Sequence, residues 1–192
     1  MTATELIETW DKDHISKFDG TVLQRRGVDS ETIEILSIVG LPEDAAPFLI
    51  FGGIHNGESI AEIYGTGKHS EQFLIEIGTD GSGDPICIDV RNKSQIVVCD
   101  HEDGFQKRYM NSSVTILLRF ITLYRDFVEK LIRTKGEKAF LDANFTDEEL
   151  DDLLRQFTRV DKNALDEGTY WSREIQTLKA NREFYQSDGH RR

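Results

Sequence analysis

The stretch that decides the fold runs from Gln72 to Cys99 and reads QFLIEIGTDGSGDPICIDVRNKSQIVVC. It holds three apolar runs, Phe73–Ile77, Ile86–Val90 and Ile96–Cys99, each of four or five residues and rich in Ile and Val. Runs so short and so β-branched do not make helices, so they predict three consecutive strands. Gly78-Thr79-Asp80-Gly81-Ser82-Gly83-Asp84-Pro85 sets three glycines and two aspartates between the first pair, and Arg91-Asn92-Lys93-Ser94 is a polar hairpin turn between the second. The expectation is a β-meander.

Outward from the meander, Gly104 to Tyr109 predicts a further strand, and Asn111-Ser112-Ser113 then caps a long helix over 112–132. Val114, Leu117, Leu118, Ile121, Tyr124, Phe127, Val128 and Leu131 make its apolar stripe, which should pack across the sheet. Thr134 to Lys138 breaks that periodicity, so the main domain is placed at 1–133, with 134–192 a helical extension packed on it. Within the extension Thr146-Asp147-Glu148-Glu149 is a capping box opening a helix to about Val160, with Leu150, Leu153, Leu154 and Phe157 on one side. A last helix over 168–185 turns Trp171, Ile175 and Leu178 inward, and 187–192 reads as a frayed tail. The apolar faces of these helices must dock on something, their own domain first, with a dimer or a partner groove as the alternative.

On the N-terminal side, Leu6, Ile7, Trp10, Ile15 and Phe18 fit one face of a helix over 4–18, capped by Thr4 and stopped by Gly20. A second helix is expected from Ser30 to Val39, closed by Gly40 and Leu41-Pro42. Pro47 to Phe51 reads as a strand ended by Gly52-Gly53, and Ile60 to Tyr64 as a short strand.

Bulk properties narrow the function classes. The 192 residues suffice for one domain with a core, and a 38 % hydrophobic content with 3 prolines argues against disorder. No run approaches the roughly eighteen apolar residues of a membrane span, and no secretion signal opens the chain, so a cytoplasmic protein without a membrane partner is expected. Lys plus Arg number 23 against 35 Asp plus Glu, a net charge of −12. Phosphate backbones attract cations, so direct nucleic-acid binding is disfavoured. Acidity can steer a basic protein partner, or serve solubility alone. Cys87 and Cys99 make no metal framework and no disulfide scaffold. They stand directly opposed if Val90 faces Ile96, and on opposite faces after a slip of one residue. Free buried thiols are expected.

Candidate chemistry is sparse. Gly78-x-x-Gly81-x-Gly83 resembles a phosphate loop, but it runs into Asp84-Pro85 and a second strand, where a dinucleotide fingerprint opens a helix. Asp80, Asp84 and Asp89 offer oxygens to calcium, yet without the ligand string of an EF-hand; Gly and Asp are also the ordinary residues of tight turns. His14, His55, His69, His101 and His190 are scattered, and no HExxH or G-x-S-x-G occurs. Asp100-His101-Glu102-Asp103 could be an acid/base group, but carboxylates without partners favour a solvated turn. No enzyme and no cofactor are expected.

The run Phe73-Leu74-Ile75-Glu76-Ile77-Gly78-Thr79-Asp80-Gly81-Ser82-Gly83-Asp84-Pro85-Ile86-Cys87-Ile88-Asp89 resembles the signature of the SUKH superfamily. That superfamily includes a yeast cell-wall-synthesis regulator and many bacterial immunity proteins. Gly40-Leu41-Pro42 ahead of Phe48, Met110-Asn111-Ser112-Ser113, and Val160-Asp161 with Ala164 and Trp171-Ser172 are similar to its bacterial immunity subgroup. The resemblance covers most of 36–178, departing at Lys162, where proline is expected, and at Ser172, where a second aromatic is common. It implies a single α+β domain: a strongly bent, mainly antiparallel sheet, N-terminal helices, one long helix after the sheet, and C-terminal helices. It implies tight binding of a cognate protein toxin, a nuclease or deaminase of a polymorphic toxin system. Such toxins tend to be basic, and an acidic inhibitor can imitate their substrate's charge. Asp80, Asp84, Asp100, Glu102 and Asp103 are the carboxylates expected to make contact. A regulatory protein-protein interaction module without a toxin partner, and an unrecognised enzyme, remain the alternatives; oligomeric state is open.

Overall fold

The computed structural model describes residues 2–52 and 57–188. In chain order its elements are α1 (Ala3–Ile7), β1 (Ile15–Ser16), α2 (Gly20–Arg25), α3 (Ser30–Glu34), β2 (Leu41–Pro42), β3 (Asp44–Ala45), β4 (Leu49–Phe51), α4 (Ile60–Tyr64), β5 (Leu74–Thr79), β6 (Pro85–Asp89), β7 (Gln95–Asp100), β8 (Gln106–Asn111), α5 (Val114–Lys135), α6 (Asp147–Val160) and α7 (Tyr170–Asp188). The predicted meander is present, and it extends into a six-stranded antiparallel sheet of order β3-β4-β5-β6-β7-β8. The fold is α+β, with helices before the sheet, the long α5 after it and two further helices at the C-terminal end.

Strand alternation explains why the runs are so apolar. Ile75, Ile77, Ile86, Ile88, Ile96 and Val98 point into the main core, whereas Leu74, Cys87, Val97 and Cys99 point to the other face and pack with Ile60 of α4. With both faces covered, the runs are apolar nearly throughout; the exceptions on the second face are the buried carboxylates Glu76, across from Cys87, and Asp89, across from Leu74. Ile88 faces Ile96, two residues away from the register that would oppose the cysteines; Cys87 lies across from Val97. Both thiols are free and buried on the same face. Burial, with Cys99 adding to it, pushes the Cys87 thiol well above its ordinary value.

A bulge between Glu76 and Gly78 bends β5 where β4 joins it. A Cβ on Gly78 would stand 2.2 Å from the Ile50 carbonyl oxygen, so this position admits only glycine. The main core then runs from Leu6 through the sheet to Leu178. At its centre Phe120 of α5, Phe157 of α6 and Trp171 of α7 form an aromatic cluster, with centroids 4.1 Å apart for Phe120 and Phe157 and 5.3 Å for Trp171 with each. The stripe predicted on α5 is buried there, Leu118 and Ile121 completely.

Residues singled out by the family resemblance hold these layers together. The Trp171 indole donates to Asn111 Oδ1 at 3.0 Å, and Asp161 Oδ2 accepts from the Tyr109 hydroxyl at 2.7 Å and the Ser112 amide at 3.0 Å. Lys162 opens a short 3-10 turn, the first helical position at which proline would also fit.

Several expected boundaries differ. The N-terminal helix stops at Ile7: Thr2, not Thr4, caps it in a reciprocal box with Glu5, and Ile15 enters β1. Gly20 does not end a helix but starts α2, which Asp19 caps. Asp29 caps α3, which continues through a π-helical turn to Val39 before Gly40, at φ +87°, ends it as expected. Ile60 to Tyr64 is a helix, not a strand, because Ser59 and Glu62 form a capping box. Strand β4 begins at Leu49, since a cis Ala46-Pro47 bond and Phe48 make the turn before it. The strand after the meander is shifted to 106–111, and the long helix runs on to Lys135. The α6 capping box on Thr146 and Glu149 is as read. Gly53, His55, His190 and the tail beyond 188 lie outside the described residues.

Candidate functional site

Two turns and one groove meet at the same end of the sheet. The β5–β6 turn is built by Asp80, whose Oδ1 accepts from the Ser82 amide at 2.9 Å and the Asp84 amide at 3.0 Å. Such carboxylate-to-amide bonds are how aspartate fixes a tight turn. The glycine-rich link therefore joins adjacent antiparallel strands and opens no helix. Asp84 then reaches across to the β7–β8 turn. Its Oδ1 accepts from the His101 amide at 3.0 Å and sits 2.7 Å from His101 Nδ1, and its Oδ2 pairs with Arg108. Burial pushes the Asp84 carboxyl up, but His101 and Arg108 more than reverse this and hold it below the usual carboxylate range. The same contact raises His101 above its ordinary value.

The five expected contact carboxylates thus divide. Asp84 is buried and saturated by in-chain donors. Asp100 accepts from the Glu102 and Asp103 amides at 3.1 and 3.0 Å and stands 3.8 Å from Arg108. Glu102 and Asp103 are exposed, and Asp80 is half-buried. Asp89, the third candidate calcium oxygen, is bound by Lys107 at 2.7 Å. Among the described residues no three His, Cys, Asp or Glu side chains are grouped to hold a metal ion.

The groove was not visible in the sequence. It is a cleft of about 850 Å³ between the β3–β4 hairpin, the β5–β6 turn, α5 and α7. Phe48 and Ile50 form one rim, 67 % and 54 % exposed. Ile50 is outward because Leu49 and Phe51, its neighbours on β4, turn into the core. Phe48 has φ +59°, a left-handed conformation that bulky side chains rarely adopt. Gly81 lies beneath it, where an added Cβ would come within 3.0 Å of the Phe48 Cβ.

Asp80, beside Gly81, and Glu174 of α7 also line the groove. Burial, then the Asp80 charge, pushes the Glu174 carboxyl up to about 7. Burial likewise raises Asp80 above its ordinary value, despite the two amides it accepts from. Arg125 also lines the groove, but it is stacked 4.5 Å over Trp10 and donates to the Thr9 carbonyl at 2.9 Å. A small inner recess shares Phe48 and Glu174 with the groove and is lined by Tyr124, whose fully buried hydroxyl makes no hydrogen bond. Burial and the Glu174 charge raise that phenol.

Against known proteins, the family model described as SUKH-4 immunity protein matches residues 1–177. Neither a curated protein nor a solved structure matches the chain significantly. The matched span includes the signature turn, both flanks of the groove and the Asn111, Asp161 and Trp171 ties, and no helix among the described residues is long and apolar enough to cross a membrane. The chain belongs to the SUKH-4 immunity protein family, whose role is immunity against a cognate toxin.

Proposed function

We propose that this protein neutralises its toxin by stoichiometric binding, without chemistry of its own, and that the toxin is a basic nuclease or deaminase. The family match over residues 1–177 carries this reading. The net charge of −12 supports a basic partner, since opposite fields speed encounter and disfavour wrong partners. Glu102 and Asp103 are placed to meet that partner, on a turn that Asp84 and Asp100 hold from within. Asp80 adds a third carboxylate at the mouth of the groove. Asp84 and Asp100 act as supports for these contacts.

Expression of the neighbouring toxin gene with and without this chain tests the reading. Cells should survive only with it, and purified toxin should lose its activity at a one-to-one ratio. The association rate should fall steeply between low and physiological salt, because exposed charges are screened beyond about 8–10 Å at that ionic strength. Unprotected cells together with no complex in vitro would refute the proposal.

A further inference from the structure

The groove beside the signature turn sets apolar and anionic surface side by side. Phe48 and Ile50 expose more apolar area than an isolated surface residue, and they do so at the rim of a concave site. Among the described residues, no cation lies within ion-pair distance of Asp80 or Glu174. The groove's charged lining is Asp44 from β3, Asp80 from the β5–β6 turn, Arg125 from α5 and Glu174 from α7, with Tyr170 beside it. Arg125 is committed elsewhere, to Asp126 at 2.9 Å and Glu129 at 3.5 Å besides the Thr9 carbonyl. An anion in this groove would face three carboxylates. A purely apolar segment would bury their charges without a counter-charge, which is costly. A cation carried on an aliphatic stem satisfies both kinds of surface.

Resting on the toxin-binding reading above, we propose that this groove receives a lysine or arginine side chain of the toxin with an apolar neighbour. The cation sits between Glu174 and Asp80, and the stem and the neighbouring residue lie against Phe48 and Ile50. The contact makes the groove the place where specificity is read, while the exposed Glu102 and Asp103 serve encounter.

The test uses the full chain, the toxin encoded beside it, and two capped tripeptides, Leu-Arg-Leu and its neutral analogue with citrulline in place of arginine. Where the toxin binds the wild-type chain, its affinity decides. Glu174→Gln and Phe48→Ala should each weaken the complex roughly tenfold to a hundredfold, without lowering the melting temperature of Glu174→Gln. Glu148→Gln, on the exposed first turn of α6, should leave affinity unchanged. Unchanged affinity in either groove variant overturns the proposal. Where the wild-type chain binds no toxin, the toxin reading fails and the peptides decide the groove by amide chemical shifts. Saturable shifts at Gly81, Ser82 and Glu174 with arginine, at least tenfold weaker with citrulline, support it; no difference between the two overturns it.

Discussion

A buried carboxylate on the β5–β6 turn and a half-buried one on α7 nearby are treated in opposite ways. Asp84 is bound by the His101 amide, the His101 imidazole and Arg108, and its carboxyl lies below the ordinary range. Glu174 has no such partners, and burial pushes it up to about 7. A buried charge with every lone pair used is part of the framework, since removing it would strand its partners. A buried charge left over costs the fold something, and persists where a ligand completes it. The signature turn therefore faces two ways: Asp84 fastens it to the β7–β8 turn, and Asp80 turns its other edge toward the groove.

The largest effect expected from this contrast is at Asp84. Asp84→Ala strands Arg108, which has only Asp100 at 3.8 Å to turn to, and deprives His101 of its acceptor. The cost should be about 3 kcal/mol, and the melting temperature should fall by roughly 5–10 °C. Asp84→Asn, which can still accept from the His101 amide, should lose less. The signs with pH follow from the two shifts. The Asp84 contribution is present above its ordinary value of 3.8 and is lost as pH falls through the lower value it has when folded. The His101 contribution is complete below its ordinary 6.5 and is lost as pH rises through the higher folded value. The tie should be tightest between those limits, and a thermal scan across pH 3 to 9 reads it (~1-unit steps suffice). A variant as stable as the wild type at pH 5 would dissolve the contrast.

Glu174→Gln should move stability the other way. Between its ordinary 4.5 and about 7 the folded chain holds this proton more tightly than the unfolded chain, so wild-type stability declines as pH rises over that interval and levels off above it. Glutamine does not ionise and escapes the decline. The variant should be more stable by on the order of 2 kcal/mol at pH 8, discounted for the carboxyl's partial exposure, and indistinguishable near pH 4. Denaturant titrations at the two pH values check it. A gain in free stability joined to a loss of toxin affinity is the signature of a residue kept for binding.

How much of this was legible in the sequence depends on whether the signal is local. The meander was, because a sheet covered on both faces leaves continuous apolar runs between turn residues, and α5 and α6 were, through periodicity and the Thr146 capping box. The Ser59-Ile60-Ala61-Glu62 box was equally local; the apolar residues within it suggested a strand where the cap specifies a helix. Leu6 to Phe18 mimics one helical face across a segment that in fact leaves α1 for β1, since apolar spacing alone does not show where a short helix is released. The division among the acidic residues was not legible at all. Asp84 is an anchor only because β6, β7 and β8 pair so as to bring His101 and Arg108 to it, and Glu174 is stranded only because α7 lies beside Asp80. The Pro47 to Phe51 run likewise reads as a strand, with nothing in its uniform apolarity to show that Phe48 and Ile50 face outward.

Phe48 offers the finest division between framework and function. Its left-handed backbone costs a non-glycine residue about 1–2 kcal/mol, and its ring is mostly exposed, so little burial offsets that strain. Phe48→Gly relieves the strain but adds about 0.5–1 kcal/mol of unfolded-state entropy, leaving a net gain of roughly 0.5 kcal/mol. Phe48→Ala keeps the strained backbone and removes the ring, and should be neutral to slightly destabilised. A stability order of Gly above Phe, with Ala at or below Phe, in urea unfolding at constant slope would show that the fold gains nothing from the ring. The aromatic would then be held at the groove rim for what it meets there. A loss above about 1 kcal/mol in Phe48→Gly would instead make the ring a packing element over Gly81, and would return this rim to the framework side of the comparison.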